Sequence, residues 1–383
     1  MPERTRVLIF IDWYLPGYKA GGPIRSVASI VHELKSEIDF SIITSDCDLG
    51  DVVSYPTMEK EKWTTAPDGT RVFYASPQMG NKTLNKIISE EQFSIVYFNS
   101  IFSKPFTLTP LKLIKKSGKK CKIIVAPRGM LGAGALRIKA TKKKLFFLYA
   151  KMTGLFKEVT WHASSEQEAL EIRTVFGNNS KILVAMNLSS REETSWQEKV
   201  KNRGEANFVF LSRISKKKNL LFALQLLREI PADKKVRLDI IGPKEDELYW
   251  KECQAAIDAL PKHIQINVLG ALPSDEISEK LKAYHFLFLP TEHENFGHVI
   301  SEALYQSCPV LISDQTPWRN LEMKKCGWDI LLQDKQKWLE KLNEAIEMDQ
   351  LTFQQWSENA FQLSANMAKD AAMIDSVRKL FVE

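Results

Sequence analysis

The sequence predicts an α/β protein built of two Rossmann-like, doubly wound domains that face a central cleft. Short β-branched and aromatic runs alternate with longer segments of helical period, as in a parallel sheet covered by helices on both faces. The alternation lapses once, over the polar and charged segment from Asn187 to Asn207, and then resumes. The length of 383 residues allows two domains of ordinary size, each with its own core.

The first half of the chain holds a series of predicted strands separated by helices. The helix Glu166–Phe176 follows Ser165, and Ser165 and Glu168 have the spacing of a capping box. These two residues are therefore predicted to cap that helix rather than to act in catalysis. The predicted strands are Arg6–Asp12, Phe40–Thr44, Val72–Ala75, Ile95–Asn99, Ile123–Ala126, Val159–His162 and Ile182–Ala185, and the other clear helices are Ile24–Leu34 and Thr83–Ser89.

The second half repeats the alternation and ends in a wholly helical stretch, Phe353–Glu383. We predict a first domain at 1–187, a linker at 188–206, a second domain at 207–350, and helices at 351–383 that cross back to the first domain. Ligands bind at the carboxyl ends of the strands in such sheets, so the cleft is the predicted site. The predicted strands are Phe208–Leu211, Leu238–Gly242, Ile264–Leu269, Phe286–Leu289, Val310–Ser313 and Ile330–Leu332, and the predicted helices are Leu220–Ile230, Tyr249–Leu260, Asp275–Tyr284, Val299–Gln306 and Trp338–Met348.

The composition is that of a globular protein without a targeting or membrane-spanning segment. Hydrophobic residues make up 44% and charged residues 26%, which argues against a disordered chain. The first apolar run is too short for a secretory signal, and no stretch approaches the roughly 20 apolar residues of a spanning helix. The five cysteines are scattered without a C-x-x-C pair, so neither a disulfide framework nor a zinc site is expected. We therefore expect a cytoplasmic protein.

The net charge of +6 is uneven, with basic clusters at 112–122 and 137–151 in the first half. In the second cluster the apolar residues 145–149 lie among lysines. Such a segment can rest on the anionic inner face of the cell membrane. A solvated helix with its apolar side in the core explains the same pattern equally well. No nucleic-acid recognition motif accompanies the charge, so nucleic acid is not an expected partner.

The segment 286–302 carries the most informative chemistry. An apolar strand is followed by a polar loop and by a helix that begins near Gly297 or His298. Glu294 lies in the loop, and Glu302 lies in an otherwise apolar helix, where a carboxylate needs partners such as ribose hydroxyls or, alternatively, a structural cation. The open amides of the helix start favour an anion, and Gly297 lets a ligand approach the backbone. This segment is therefore predicted to hold a phosphate together with hydroxyl-bearing rings.

Two cations follow the predicted strand at 208–211. Arg213 stands at the end of the strand, and Lys218 comes five residues later, at the entry to a helix. Cations at the carboxyl end of a sheet suit a diphosphate, because negative charge builds on that leaving group as a glycosidic bond breaks. Arg can hold two oxygens at once, whereas Lys acts as a mobile point charge. The intervening Lys216 and Lys217 are predicted to be solvated.

Together these motifs resemble the large retaining glycosyltransferase family 4, which has the GT-B fold. The resemblance runs over nearly the whole chain, and it is specific because the paired acids stand in the strand-loop-helix context described above. The residues that carry it are the E-x-F-G-x-V-I-x-E motif from Glu294 to Glu302, Arg213, Lys218, Gly242, Gly270 and the glycine loop at 16–25.

The resemblance implies a donor, a reaction and a set of residue roles. The donor would be a UDP- or GDP-sugar, transferred to an acceptor hydroxyl with retention at the anomeric carbon, without a cofactor or an obligatory metal. Glu294 would bind the donor sugar and Glu302 its ribose, while Arg213 and Lys218 would stabilise the diphosphate. Further donor contacts are implied for Gly21, Gly22, Phe296, Gly297, His298, Val299, Ile300, Gly270 and Leu272.

The first half departs from the family pattern in a way that narrows the expected acceptor. Where many relatives carry a histidine after about the fifth strand, this chain has Arg128 in the sequence V-A-P-R-G-M. An arginine at this position resembles the pattern of a polysaccharide-assembly branch of the family. The resemblance implies that Arg128 occupies the sugar-facing, catalytic position. The implied acceptor is a growing, lipid-linked surface polysaccharide. A second departure is at Asn187, which is followed by Leu188 where relatives usually have glycine.

Several residues have competing interpretations. The D-x-D sequence at 46–48 has the form of a metal site, although loop aspartates more often build turns. His162 is expected to be a partly buried structural histidine rather than a base, whereas His298 either contacts phosphate or caps its helix, and His293 has no assigned role. For the whole protein, a non-catalytic nucleotide-sugar-binding scaffold and a sugar-nucleotide epimerase of the same fold are the alternatives.

Overall fold

The computed structural model describes residues 4–382 apart from 57, 67, 77–78, 138 and 189–194. The chain divides into two compact units, of which the first comprises Met1–Leu188 with Ala371–Glu383 and the second comprises Ser189–Asp370. Each unit is built around its own sheet. Among the described residues, every helix is too short or too polar to cross a bilayer.

The first unit contains a sheet that is parallel except at one edge. Its strands are β1 (Thr5–Phe10), β2 (Ile38–Ser45), β3 (Trp63–Thr65), β4 (Arg71–Ala75), β5 (Ile95–Phe98), β6 (Lys122–Val125), β7 (Thr160–Ala163) and β8 (Lys181–Val184). They lie in the order β3-β4-β2-β1-β5-β6-β7-β8, and the edge strand β3 is antiparallel to β4. In β1, Val7 and Ile9 enter one core while Leu8 and Phe10 enter another, so the sheet is buried on both faces.

The helices of the first unit connect these strands, and only β3 lies outside the predicted strands. β3 is a three-residue edge strand with two threonines, too short and too polar to give a period-2 signal. It is held by antiparallel pairing with β4 and by the Arg71 guanidinium, which lies 4.0 Å from the centre of the Trp63 ring. The helices are α1 (Gly22–Leu34), α2 (Asn81–Glu90), α3 (Thr109–Ser117), α4 (Ala133–Arg137), α5 (Ala140–Met152) and α6 (Glu166–Phe176).

The second unit contains a wholly parallel sheet of six strands within its described residues. The strands are β9 (Glu205–Leu211), β10 (Lys235–Ile241), β11 (Ile264–Gly270), β12 (Phe286–Leu289), β13 (Val310–Ser313) and β14 (Gly327–Ile330), in the order β11-β10-β9-β12-β13-β14. Its helices are α7 (Leu220–Leu227), α8 (Glu247–Asp258), α9 (Ser274–Leu281), α10 (His298–Tyr305), α11 (Lys335–Glu347) and α12 (Gln350–Ala368). The chain ends in α13 (Ala371–Val382), which belongs to the first unit.

The last strand differs from the prediction Ile330–Leu332. β14 begins at Gly327, pairs from there with Val310, and buries Trp328, while Leu331 is largely exposed. A Cβ atom on Gly327 would lie 2.3 Å from the carbonyl oxygen of Val310, so the close pairing requires glycine. In the sequence this glycine resembles a turn signal, which shifted the predicted strand towards the carboxyl end.

Apart from Leu188, which belongs to the first unit, the described part of the predicted linker belongs to the second unit. The Lys199 ammonium donates to the carbonyl oxygens of Leu281 and Tyr284 at 3.1 and 3.0 Å, so the chain is anchored there before β9 begins. Residues 189–194 of that predicted linker lie outside the described residues. The anchoring lysine is buried, which its sequence context did not indicate.

The final helical stretch, which was predicted to return to the first domain, is divided between the units. α12 packs on α10, where the Ser364 hydroxyl donates to the Ser301 carbonyl at 3.1 Å. α13 lies in the first unit, where Arg378 forms a two-point ion pair with Glu37 at 2.7 and 3.0 Å. The break between the two helices falls at Asp370.

Candidate functional site

In the second unit, the loop after β9 is fastened to the loop after β12. The backbone N–H of Glu292 donates to the carbonyl oxygen of Lys217 at 2.8 Å, and the Thr291 hydroxyl donates to the same oxygen at 3.1 Å. These bonds fix the loop that carries Lys218 against the loop that carries Glu294. Because β9 and β12 are neighbours in a parallel sheet, both loops lie at its carboxyl edge.

Lys218 and Glu294 form a direct ion pair through Nζ and Oε1. Their side chains are only 12% and 13% exposed, so each charge is largely removed from water and depends on the other. The backbone N–H of Glu294 donates to the carbonyl oxygen of Gln315 at 2.8 Å, which holds the loop in place behind the carboxylate. The structure thus brings together one predicted phosphate-binding cation and the predicted sugar-binding acid.

Arg213 has a different partner from the one the sequence led us to expect. It follows β9 as predicted, but its guanidinium pairs with Glu245 at 2.7 Å, and both side chains are about two-fifths exposed. The backbone N–H of Ile214 donates to the carbonyl oxygen of Pro243, which joins the loops after β9 and β10. An exposed ion pair of this kind is weak, so Glu245 restrains Arg213 little.

The start of α10 presents backbone amides without a side-chain cap. Gly297 is the cap residue, with φ 78° and ψ 63°, and as a glycine it makes no side-chain cap hydrogen bond. The left-handed backbone favours glycine, and a Cβ atom at this position would lie 2.7 Å from Cδ1 of Ile300. The positive end of the helix dipole makes this position suited to an anion.

Aromatic packing supports the same helix start from beneath. Phe296 is buried, its ring centre lies 4.9 Å from that of His298, and its carbonyl oxygen accepts from Nε1 of Trp318 at 2.7 Å. Val299 and Glu302 are half-buried on α10. The predicted ligand-facing residues of this motif therefore share one short helix and the turn before it.

The predicted donor contacts Gly270 and Leu272 lie at and beyond the end of β11, next to the end of β10. The N–H of Gly242 donates to the carbonyl oxygen of Gly270 at 2.7 Å, which brings the two strand ends together. A Cβ atom on Gly242 would lie 1.9 Å from the carbonyl oxygen of Ser212, so only glycine fits. Gly270 has φ +74°, and no heavy atom lies within 4 Å of the position that a Cβ atom would take there. Leu272, beyond it, is half-buried.

In the first unit, the glycine loop leads directly into α1. Gly21 is the cap residue, with φ 66° and ψ −117°, and α1 begins at Gly22. No heavy atom lies within 4 Å of the position that a Cβ atom on Gly21 would take. The backbone at Gly21 is therefore open to the approach of a ligand.

The aspartates at 46–48 support this loop. Asp48 accepts hydrogen bonds from the backbone N–H groups of Tyr18 and Lys19 at 2.8 and 3.1 Å, and Asp46 accepts from the Ser54 hydroxyl at 2.6 Å. Both aspartates are buried. Within the described residues, no three His, Cys, Asp or Glu side chains cluster as metal ligands would. These contacts favour the turn-building interpretation and give Asp48 a part in shaping the glycine loop.

Arg128 lies beyond β6 in a cage of neutral acceptors. Its Nε and Nη2 donate to Asn99 Oδ1 at 3.2 and 2.9 Å, Nη2 also donates to the Tyr97 hydroxyl at 2.7 Å, and Nη1 donates to Asn187 Oδ1. Tyr97 lies near the end of β5, Asn99 follows β5, and Asn187 lies beyond β8. These strands flank β6 and β7 in the same sheet, so the guanidinium lies at the carboxyl edge of that sheet. Arg128 has φ 54°, a left-handed conformation that is uncommon for a residue with a side chain.

Behind Arg128, Tyr97 and His162 form a buried pair. The Tyr97 hydroxyl lies 2.7 Å from Nδ1 of His162, and Nε2 of His162 lies 2.9 Å from the Ala185 carbonyl oxygen. Burial, and then the charge of Arg128, lower the pKa of His162 to about 3. Burial also raises the pKa of Tyr97 to about 12 against the opposing effect of Arg128. His162 is thus a neutral, fully bonded histidine, which agrees with its predicted structural role.

Glu168 does more than the helix capping predicted for it. Its N–H donates to the hydroxyl of Ser165, as a cap requires, at 3.1 Å. Its carboxylate also accepts from the N–H of Gly129 at 2.6 Å and from the N–H and hydroxyl of Ser164, both at 2.8 Å. The buried Glu168 therefore fixes the turn that follows Arg128.

Sequence reasoning missed the contacts of five residues that shape the glycine loop at 16–25 and the surroundings of Arg128, although it named Asp48, Asn187 and Glu168 for other reasons. Asn99, Tyr97 and Glu168 lie in or next to predicted strands and helices, where they read as ordinary structural residues. The signal that was available is position, because the cage residues end or follow parallel strands of one sheet. These five residues are Tyr97, Asn99, Asn187, Asp48 and Glu168. The five cysteines are all free thiols, so no disulfide contributes to either region.

Comparison with known proteins is consistent with this geometry. Residues 191–363, less than half of the chain, match the family model described as "Glycosyl transferases group 1". No curated protein is similar enough to match.

Solved structures match the whole chain at low sequence identity. Sucrose-phosphate synthase from Thermosynechococcus elongatus superposes with a TM-score of 0.71 and 11% identity, over 99% of this chain and 98% of that one. HepE of Anabaena in complex with UDP-glucose gives 0.69 and 14%, over 98% and 99%. WaaG, a glycosyltransferase involved in lipopolysaccharide biosynthesis, gives 0.68 and 11%, over 98% and 99%. These matches confirm the predicted α/β fold with two parallel-sheet units, the GT-B fold.

Proposed function

We propose that this protein is a retaining hexosyltransferase that moves a sugar from a UDP- or GDP-sugar to a hydroxyl of a growing, lipid-linked surface polysaccharide. The observation that carries the proposal is the partly buried contact of Lys218 with Glu294, in loops at the carboxyl edge of a parallel sheet. The loop of Glu294 leads directly into the uncapped start of α10. A cation, an acid and the positive end of a helix dipole together match a sugar diphosphate, which offers both anionic oxygens and hydroxyls.

The ion pair has a direct consequence for the reaction. A donor diphosphate would compete with Glu294 for Lys218, and the sugar hydroxyls would replace the ammonium as partners of the carboxylate. Charge that develops on the departing diphosphate would then be stabilised by Lys218, by Arg213 after release from its weak pair, and by the amides of α10. This arrangement requires no cofactor or obligatory metal.

The first unit would contribute its own contacts. Gly21 and Gly22 would bring an open backbone to the donor phosphates, and Arg128 would contact the substrate sugar. HepE was solved with UDP-glucose and WaaG acts in lipopolysaccharide biosynthesis, which favours a UDP-sugar and a glycan acceptor here.

The decisive experiment replaces Glu294 by glutamine, which keeps the shape and removes the charge. We expect sugar transfer to fall by about a hundredfold or more, the size seen when one electrostatic contact to a transition state is lost. Binding of the free nucleoside diphosphate should survive, because Lys218 is then released from its partner. Glu322→Gln is the matched control, since Glu322 also pairs with a lysine in the second unit, Lys341. Undiminished transfer by Glu294→Gln would refute the assigned role.

The alternatives are separated by omitting the acceptor. A sugar-nucleotide epimerase would convert the donor alone, and a scaffold would bind the donor without any product. A transferase consumes the donor in step with the acceptor. Chromatography of the nucleotide products, with and without acceptor, therefore distinguishes all three.

We also propose that α3 and α5 contact an anionic membrane that carries the acceptor. No Asp or Glu occurs between Gln92 and Lys157. The side chains of Leu145, Leu148 and Met152 on α5 are 63%, 56% and 78% exposed, so part of the predicted apolar side faces outwards rather than into the core. Each lysine near an anionic surface contributes about 1 kcal/mol of attraction.

Vesicle sedimentation tests this surface. Phosphatidylglycerol vesicles should retain the protein and phosphatidylcholine vesicles should not. Leu148→Ser should weaken retention, whereas Leu170→Ser, at a similarly exposed leucine on α6, should leave it unchanged. Equal retention of both variants would exclude α5 as the contact.

A further inference from the structure

The cage around Arg128 provides acceptors for all but one of the N–H groups of its guanidinium. Arg presents five N–H donors, and four contacts to Tyr97, Asn99 and Asn187 occupy four of them. No carboxylate of the described residues forms an ion pair with Arg128. Neutral acceptors therefore fix the direction of the guanidinium while leaving its charge and one N–H for a ligand.

The chemistry of the groups determines where each proton lies. Arg cannot accept a hydrogen bond, so the oxygen of Tyr97 must be the acceptor from Nη2. The Tyr97 hydroxyl proton is then directed to Nδ1 of His162, 2.7 Å away. His162 must in turn carry its proton on Nε2, which donates to the Ala185 carbonyl oxygen. Only one arrangement of protons satisfies all the hydrogen bonds from Arg128 through Tyr97 and His162 to Ala185.

We propose that Tyr97 and His162 are positioning residues, which hold Arg128 in its substrate-facing orientation through this fixed chain of hydrogen bonds. The inference rests on the proposed function, in which Arg128 contacts the substrate. A proton on Nδ1 of His162 would remove the acceptor of Tyr97 and place a second cation behind Arg128. The neutral histidine thus keeps the tyrosine oxygen turned towards the guanidinium.

The backbone around Arg128 depends on the same support. Arg128 and Gly129 both have positive φ, at 54° and 73°, a conformation that is unfavourable for the arginine. Glu168 holds the turn through the N–H of Gly129, and its charge also acts on Tyr97. Glu168 thus holds the backbone of this turn while the cage holds the Arg128 side chain. An unfavourable backbone that is maintained in this way indicates that the direction of the Arg128 side chain is important for function.

A double-mutant cycle tests whether Tyr97 acts through Arg128. Tyr97→Phe removes only the hydroxyl, and we expect kcat to fall about tenfold, with the KM for the donor changed by less than about threefold. In an Arg128→Ala background the same change should cost nothing further, because there is no guanidinium left to orient. Tyr74→Phe is the matched control, since Tyr74 is also buried, donates to the Leu15 carbonyl at 2.7 Å and has no contact with Arg128.

The outcomes separate the two proposals. If the wild-type protein transfers no sugar, the proposed function fails before this cycle begins. If it does transfer, an equal loss from Tyr97→Phe in both backgrounds would mean that the tyrosine acts only on folding, and the inference is overturned. An unaffected Tyr97→Phe variant overturns it as well.

A measurement on the unmodified protein covers the case in which Tyr97→Phe does not fold. The ¹⁵N NMR signals of His162, assigned by their loss in His162→Gln, should show a neutral ring protonated at Nε2 from pH 8 down to about 5. A ring protonated at Nδ1, or one that titrates near its ordinary pKa, would contradict the hydrogen-bond chain.

Discussion

The variant Gly21→Ala tests whether a ligand approaches the backbone at Gly21, because the new methyl group would clash with no described atom of the protein. The change is Gly21→Ala, at a backbone with φ 66° and ψ −117° that residues with a side chain avoid. Such a conformation costs on the order of 1–3 kcal/mol when it is imposed on a residue with a side chain. Because no heavy atom lies within 4 Å of the new methyl group, no clash within the described residues adds to that cost.

Gly177 provides a control with the same two properties. It caps the end of α6 with φ 99° and ψ 161°, another backbone region that favours glycine, and a Cβ atom there would also meet nothing within 4 Å. Gly21→Ala and Gly177→Ala should therefore lower the stability of the first unit by comparable amounts. At about 2–4 °C per kcal/mol, both melting temperatures should fall by several degrees.

The two variants should differ in activity. If the donor diphosphate approaches the backbone at Gly21, a methyl group there should reduce kcat/KM for the donor by about tenfold or more, since the phosphate must move away from the amides. Gly177→Ala should retain wild-type kcat/KM at temperatures below its melting transition. Equal activities of the two variants would show that Gly21 serves only to turn the chain into α1.

Three further predictions concern stability. Gly242→Ala should prevent the second unit from folding, because its Cβ atom would lie 1.9 Å from the Ser212 carbonyl oxygen, whereas Gly270→Ala should fold; circular dichroism of the two variants checks this. The free energy of unfolding of the second unit should fall by about 2 kcal/mol between pH 7.5 and 5. Burial lowers the pKa of His285 to about 4, so the unfolded chain binds the proton more readily than the folded chain over this range. The urea midpoint should therefore shift less with pH in His285→Gln. That stability is present in full above the ordinary histidine pKa and declines as the pH falls towards the folded value. Lys199→Met should destabilise the second unit by about 1–3 kcal/mol in urea, since the buried carbonyl oxygens of Leu281 and Tyr284 lose their donor.

The fold was predictable from the sequence because buried parallel strands leave a strong signal. β12 is a continuous apolar run, β9 and β13 each contain one, and their neighbours in the chain are helices of clear period. The exceptions share one physical cause, which is that tertiary contacts determined them. β3 depends on Arg71 and β4, and β14 depends on the close approach of Gly327 to Val310.

The division of the chain between the units was less predictable. The helical period of 353–383 gives no sign that α12 stays with α10 while α13 returns to the first unit. A lysine such as Lys199 reads as part of a solvated segment, because burial of its ammonium depends on carbonyl groups contributed by residues about 80 positions away.

The candidate site was predictable in its residue types and only partly in its pairings. Glu294 and Lys218 are in contact, as paired charges at adjacent strand ends would lead one to expect. The pairing of Arg213 with Glu245 depends on loop geometry that no spacing rule encodes. The cage of Arg128 was equally hidden, because its members are neutral and lie up to 59 positions from Arg128 in the sequence.

Arg128 and Lys218 show how the partners of a cation determine what it can bind. Lys218 is neutralised by Glu294, so an anion must displace a carboxylate, and that exchange succeeds only for a ligand whose hydroxyls satisfy Glu294 at the same time. Such a requirement favours a sugar diphosphate over inorganic phosphate. Arg128 is held by amide and hydroxyl oxygens, so it keeps its charge without competition from an ion-paired carboxylate among the described residues. Inorganic phosphate should therefore compete poorly at Lys218, and added hydroxyl groups on a diphosphate should raise affinity there more than added charge does.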